Sequence, residues 1–211
     1  MPAHPETAPQ AHWQQVYGSK QPDEVSWYAP HLATSLARIL AACTDKAAPI
    51  LDVGGGASTL VDDLLDAGYT AVHVLDISPQ CLAASQHRLG ARAAQVQWHV
   101  ADITQAALPP QHFAFWHDRA VFHFLTDATD RAAYVGQAER ALLPGGHIVV
   151  ATFGPDGPQR CSGLPVCRYD ADGLHSVFGA AFAPLDHQLE THQTPWGAPQ
   201  EFLYCACLRR R

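Results

Sequence analysis

The sequence predicts an α/β fold: a doubly wound, mostly parallel sheet that ends in an antiparallel hairpin. From Pro49 onward, strand-like runs alternate with amphipathic helical segments five times. The strand runs are almost continuously apolar, as in strands covered on both faces. Near the C-terminus, two further strand-like runs follow each other across a Pro/Gly loop at 195–199, the spacing of a hairpin.

Residues 1–11 are rich in Pro, Ala, Gln and Thr without periodicity, and read as a disordered tail. The rest, 12–211, reads as one domain. Its N-terminal segment 12–30, "HWQQVYGSKQPDEVSWYAP", is expected to form a lid and holds four aromatics with little regular pattern. Leu32, Leu36, Ile39 and Leu40 then mark one helix face. "PILDV" is a strand, "STLVDDLLDAG" a helix stopped at Gly68, and "YTAVHVLDIS" a strand. "PQCLAASQHRLG" is a helix that starts at Pro79 and stops at Gly90. "AQVQWHVAD" and "FAFWHD" are strands, "RAAYVGQAERALLPGG" a helix closed by Pro144 and two glycines, and "HIVVATF" a strand. A Pro/Gly-rich insertion, 154–173, leads into a short helix, and "FAPLDHQLETHQT" and "EFLYCACLRR" form the hairpin.

Composition narrows the function. The 211 residues are 47% hydrophobic and 16% charged, with a formal net charge of -7. That balance argues against a dedicated nucleic-acid binder, which presents a basic face. The basic cluster Arg209-Arg210-Arg211 reads as a frayed end. No apolar run reaches the ~18 residues a membrane span needs, and the N-terminus lacks the pattern of a secretory signal. The six cysteines form no CxxC pair and read as reduced thiols in a cytoplasmic protein, and no metal-ligand spacing is visible.

"LDVGGGAS" is a glycine turn between strand and helix. Gly54 and Gly56 fit a dinucleotide turn, but Thr59 stands at the third glycine position and no GK[ST] follows. Asp52, two residues before Gly54, would repel a pyrophosphate and suits a cationic ligand end. Asp76 closes the second strand, 22 residues after Gly54, where an acid can accept both ribose hydroxyls. Asp102 follows the third strand, where an acid can accept from an adenine amino group.

These stretches, with "ADIT" and "LPGGH", resemble the class I S-adenosylmethionine-dependent methyltransferases from about Trp13 to Leu208. The resemblance implies a seven-stranded sheet, S-adenosyl-L-methionine as cofactor, and cofactor contacts at Asp52, Gly54, Gly56, Asp76, Ile77, Asp102, Ile103 and the backbone near His117. "HWQQVY" and "SWY" resemble a W-x3-Y element in which aromatics close over the methionine end. That implies contacts from Trp13, Tyr17 and Trp27, the alternative being that these rings only pack a helix on the sheet.

The acceptor is read from two stretches. "WHDRAVFHFLTD" follows the fourth strand, at the sheet edge where ligands bind. It resembles the D-R-G-A-L pattern of thiopurine-type enzymes more than the D-K-G-T-x-D pattern of lysine methyltransferases. Arg119 and His123 are therefore expected to attract an anionic or thiol-bearing small molecule, His123 as base or donor. The alternative is an Arg119 pair with Asp118 or Asp127 and a packed His123. In the insertion, a substrate lid, Arg160, Cys161, Arg168 and Tyr169 are candidate substrate contacts, joined by Trp196. The expected function is methyl transfer to a small thiol, sulfide or soft anion. Protein-lysine methylation and a catalytically degenerate cofactor-binding protein are the alternatives. No membrane or nucleic-acid partner is expected.

Overall fold

The computed structural model describes residues 8–211. Five parallel strands form the body of the sheet: β1 (Ile50–Val53), β2 (Val72–Asp76), β3 (Val96–Val100), β4 (Phe113–Arg119) and β5 (Leu142–Phe153). The ribbon β6 (Arg160–Cys161) and β7 (Leu164–Pro165) lies in the insertion, apart from the main sheet. The hairpin is β8 (Phe182–Gln193) and β9 (Pro199–Arg209). The sheet order is β3-β2-β1-β4-β5-β9-β8, so β9 enters antiparallel between β5 and β8. This is the seven-stranded, hairpin-ended sheet that the sequence implies.

One face is covered by α2 (Ala33–Ala42), α3 (Leu60–Asp66) and α4 (Pro79–Leu89), which bury Ile39, Leu60, Leu64 and Leu82 against Ile50, Val74 and Phe115. The other is covered by α5 (Ala128–Ala141) and α6 (Ala171–Phe178), through Tyr134, Ala138, Leu174 and Phe178. Every residue of β1 is buried, as its apolar run requires. Cys205 and Cys207 face the α5–α6 side and are buried.

Three expectations are corrected. Helix α1 (Ala8–Ser19) takes up residues 8–11 of the expected tail, while residues 1–7 lie outside the described residues. Helix α5 ends at Ala141, earlier than Pro144, because Leu142 is already extended and pairs with Phe113 at a register shift. Arg209 is part of β9 rather than a frayed end, and its guanidinium donates to Leu142 O at 2.8 Å.

The turn after β4 is set by a buried carboxylate. Asp118 is fully buried and accepts from Val121 N at 3.0 Å, from Phe122 N, and from Tyr134 OH at 2.7 Å. Trp116 Nε1 in turn donates to Tyr134 OH at 2.8 Å. Burial raises the Asp118 carboxyl to about 6, against the pull of those donors. Tyr134→Phe leaves the Trp116 indole N–H unpaired and leaves Asp118 Oδ2 with the Phe122 amide alone. Unfolding in denaturant should show a loss of about 1–3 kcal/mol; an unchanged midpoint would remove this triad as the anchor of the turn.

Candidate active site

Parallel register builds the site. It pairs Asp52 of β1 with His117 of β4, on the face covered by α2. Two residues on, Arg119 shares that face and stands beside Ala151 of β5, which stands beside Tyr204 of β9. The small Ala151 side chain lets Arg119 Nε reach across to Tyr204 OH, 3.0 Å away.

The glycine turn follows β1. Gly54 has φ +68°, and a Cβ there would collide with the Val121 side chain, so the turn and the segment after β4 interlock. A Cβ on Gly56 would lie 2.5 Å from Cys81 Sγ and 2.6 Å from Asp76 Oδ2. Thr59, at the third glycine position, uses its hydroxyl to hold Ala29 O at 3.0 Å. Ala120 has φ +69°, the left-handed region, and hands the chain from Arg119 to Val121.

A cleft of about 620 Å³ opens at the C-terminal ends of β1, β2, β3 and β4. Gly54, Asp76, Ile77, Asp102 and Ile103 are among its lining residues. Trp13, Tyr17 and Trp27 line it too, with Phe124. The Trp13 ring stands edge-on to Phe124 at 5.0 Å and to Trp27 at 5.9 Å. So the W-x3-Y rings pack a helix and also face the cleft. A smaller cavity of about 40 Å³ lies against the glycine turn, lined by Asp52, Gly54, His117, Arg119, Tyr17 and Trp27 among others. Arg119 is therefore common to both spaces.

The three acids are held differently. Asp52 Oδ1 is 2.7 Å from His117 Nδ1, while Oδ2 has no partner among the described residues. Asp76 Oδ1 accepts from Ser78 N at 2.8 Å, and burial pushes its carboxyl up to about 6. Asp102 Oδ1 accepts from the Thr104 amide and hydroxyl at 2.9 and 2.7 Å, which fixes the loop after β3.

The acceptor residues expected from sequence fare differently. His123 is fully buried and lines neither cavity. Its Nδ1 accepts from Phe153 N at 3.4 Å, and burial, with the Arg119 charge, lowers the imidazole to about 3. A neutral, enclosed ring of that kind is not placed to take a proton from an acceptor. Arg119 pairs with neither Asp118 nor Asp127. It donates to Trp27 O at 3.0 Å, lies over the Phe202 ring at 4.1 Å, and has Glu190 at 3.7 Å.

Arg160, Cys161, Arg168, Tyr169 and Trp196 all lie off both cavities. Arg160 is turned back onto Gly163 O, and Arg168 holds Pro155 O at 2.8 Å and Gly157 O at 3.2 Å. Cys161 is buried in the core and its thiol is pushed up to about 11 by burial. Tyr169 packs on Phe122, and Trp196 stands 62% exposed at the hairpin tip. From the insertion, Leu164 reaches the cleft instead. Among the described residues, no cluster of His, Cys, Asp or Glu could hold a metal ion.

The structure adds Pro9, His12, Thr104, Gln105, Val121, Phe124, Leu125, Asp130 and Leu164 to the cleft. Pro9, Trp13 and Tyr17 follow each other at helical i, i+4 spacing, the signal that would have extended the W-x3-Y element backward. Tyr204 and Glu190, which meet Arg119, and Ser35, which reaches Asp52 through His117, carry no local signal.

Residues 50–146 match the family model of the methyltransferase domain. The eEF1A lysine and N-terminal methyltransferase of Mus musculus is 24% identical over 139 residues, 65% of this chain and 19% of that protein. The chain thus spans about a fifth of that relative's length. A structure from work on the conversion of a disulfide bond into a thioacetal group during echinomycin biosynthesis has a TM-score of 0.76 at 20% identity, over 95% of this chain and 92% of that one. The 1,6-didemethyltoxoflavin-N1-methyltransferase of Burkholderia thailandensis gives 0.72 at 18% identity, over 100% and 93%. These structures share the fold. The acids at the strand ends, Asp52, Asp76 and Asp102, all lie within the residues that match the methyltransferase domain.

The residues present fit S-adenosylmethionine. Asp52 Oδ2 and Arg119 Nη2 are buried without hydrogen-bond partners among the described residues, an acceptor and a donor for a zwitterionic amino-acid end. Asp76 and Asp102 would take the ribose hydroxyls and the adenine amino group. The aromatic wall suits a positive sulfonium. The cofactor, when bound, supplies a methyl group activated on that sulfonium.

A pH dependence follows from Asp76. Its carboxyl takes up a proton as pH falls through about 6, and a protonated acid accepts poorly from hydroxyls. Affinity for S-adenosylhomocysteine should therefore drop about tenfold between pH 7 and pH 5. Asp76→Asn should bind weakly and without that slope. A flat wild-type profile by calorimetry would separate Asp76 from the ribose.

Proposed function

We propose that the chain methylates a small, flat, largely apolar acceptor through a soft nucleophile, a thiol or sulfide first. The observation that carries this reading is the apolar share of the cleft lining. Trp13, Phe124, Leu125 and Leu164 belong to it. A dry wall favours a reaction in which an anionic nucleophile and a cationic sulfonium neutralise each other. The Trp13, Trp27 and Phe124 rings pack edge-on beside the cleft, and Trp27 is fastened to Arg119 through its carbonyl. The cleft volume of about 620 Å³ is in the range of small-molecule sites, ~300–1,000 Å³. Enzymes of like fold also act on small molecules, as the toxoflavin methyltransferase does by its name.

This reading keeps the small-molecule acceptor expected from sequence and replaces the residues that would hold it. Arg119 belongs to the cofactor's end, so selection among acceptors falls to apolar contact. The second reading, lysine methylation, is favoured by the mouse relative and by Asp130 on the cleft wall, an acid able to attract an ammonium.

The experiment is a panel of acceptors at fixed S-adenosylmethionine: sulfide, alkyl and aromatic thiols, planar nitrogen heterocycles, and a lysine peptide. Turnover on aromatic thiols above the others is expected, and turnover on the peptide alone would overturn the proposal. Leu164→Ala and Phe124→Ala should each raise the acceptor KM roughly tenfold or more. Leu164→Ala should leave cofactor affinity within about twofold, since Leu164 belongs to the apolar share of the lining.

A further inference from the structure

One set of buried polar contacts serves neither the hydrophobic core nor the acceptor wall. Five side chains from β1, α2, β4 and β9 join end to end across one face of the sheet. Arg119 Nε donates to Tyr204 OH at 3.0 Å. Tyr204 OH is 3.4 Å from Ser35 Oγ, and Ser35 Oγ is 2.9 Å from His117 Nε2. His117 Nδ1 is 2.7 Å from Asp52 Oδ1. All five residues are at most 9% exposed.

One polarity satisfies every link. A guanidinium only donates, and an ionised carboxylate only accepts. With Arg119 donating to Tyr204, the Tyr204 hydroxyl donates to Ser35, Ser35 donates to His117 Nε2, and Nδ1–H donates to Asp52. Hydrogen bonds aligned in this way polarise one another and hold their members in single rotamers. At each end one atom has no hydrogen-bond partner among the described residues: Asp52 Oδ2, and Arg119 Nη2, which has Glu190 only at 3.7 Å. Asp52 and Arg119 both line the 40 Å³ cavity at the glycine turn, whereas Ser35 and Tyr204 do not.

We infer that this chain of hydrogen bonds is a clasp frame, which fixes the spacing of Asp52 and Arg119 so that both ends of the cofactor's amino-acid group are met at once. Ser35 and Tyr204 are positioning residues that act through Asp52 and Arg119, and His117 is the link between Ser35 and Asp52. The inference rests on the cofactor and is independent of the acceptor.

The test compares two ligands. S-adenosylhomocysteine carries the amino-acid group; 5'-methylthioadenosine has the adenosine and the sulfur without it. Tyr204→Phe and Ser35→Ala each remove one hydroxyl from the frame. Each should weaken S-adenosylhomocysteine about tenfold by calorimetry while changing 5'-methylthioadenosine less than about twofold. The double variant should cost little more than either single one, because one break already interrupts the frame. Ser35→Thr, which keeps the hydroxyl, should retain most of the affinity. An equal loss for both ligands would mean a merely structural role, and no loss for either would mean that the frame is idle; each overturns the inference.

Discussion

A guanidinium held almost wholly out of water sets the terms for this end of the sheet. Removing a charge from water costs several kcal/mol unless partners replace the solvent. Arg119 is given the Tyr204 hydroxyl, the Trp27 carbonyl, the Phe202 ring and, farther off, Glu190. Those partners come from two strands, β8 and β9, and from the segment that precedes α2. The registers of β4, β5 and β9 are thereby tied to one ion, because a slip of one residue would turn Arg119 or Tyr204 to the opposite face. The same charge helps to keep His123 unprotonated and lowers its neighbour His192 as well.

The lining of the two cavities comes from two kinds of structure. Asp52, Asp76 and the glycine turn stand at the ends of strands and are fixed by the sheet itself. The segment that precedes α2 is pinned at several points: Ser26 by His192, Trp27 by Arg119, Ala29 by Thr59 and His31 by Asp63. The rest of the cleft lining includes single side chains from α1, the turn after β4 and the ribbon of the insertion. Loops of this kind can change without disturbing the sheet, so one fold serves many acceptors.

That division also decides what was legible in the sequence. Asp52, Asp76 and Asp102 each end or follow an apolar strand run, so pattern alone placed them, and the glycines fixed the turn. The hairpin was visible because two strand runs stood either side of a Pro/Gly loop. Arg160, Arg168 and Trp196 were chemically plausible but misplaced, since where a loop residue points depends on a path that no periodicity encodes. His123 misled for another reason. An imidazole two residues past a cleft-lining Val121 looks catalytic, yet the tight turn held by Asp118 directs it inward. Ser35 and Tyr204 were invisible, since they meet from 169 positions apart.

The strand order carries a last consequence, for the newly made chain. β8 is synthesised before β9 but occupies the edge of the sheet, and its place is defined only once β9 lies against β5. Tyr204 arrives on that inserted strand. A nascent chain that has completed β1 to β5 holds Asp52, Asp76 and Asp102, yet lacks the hydroxyl that pairs with Arg119. On the clasp proposed above, ligand affinity then becomes a readout of the closed sheet.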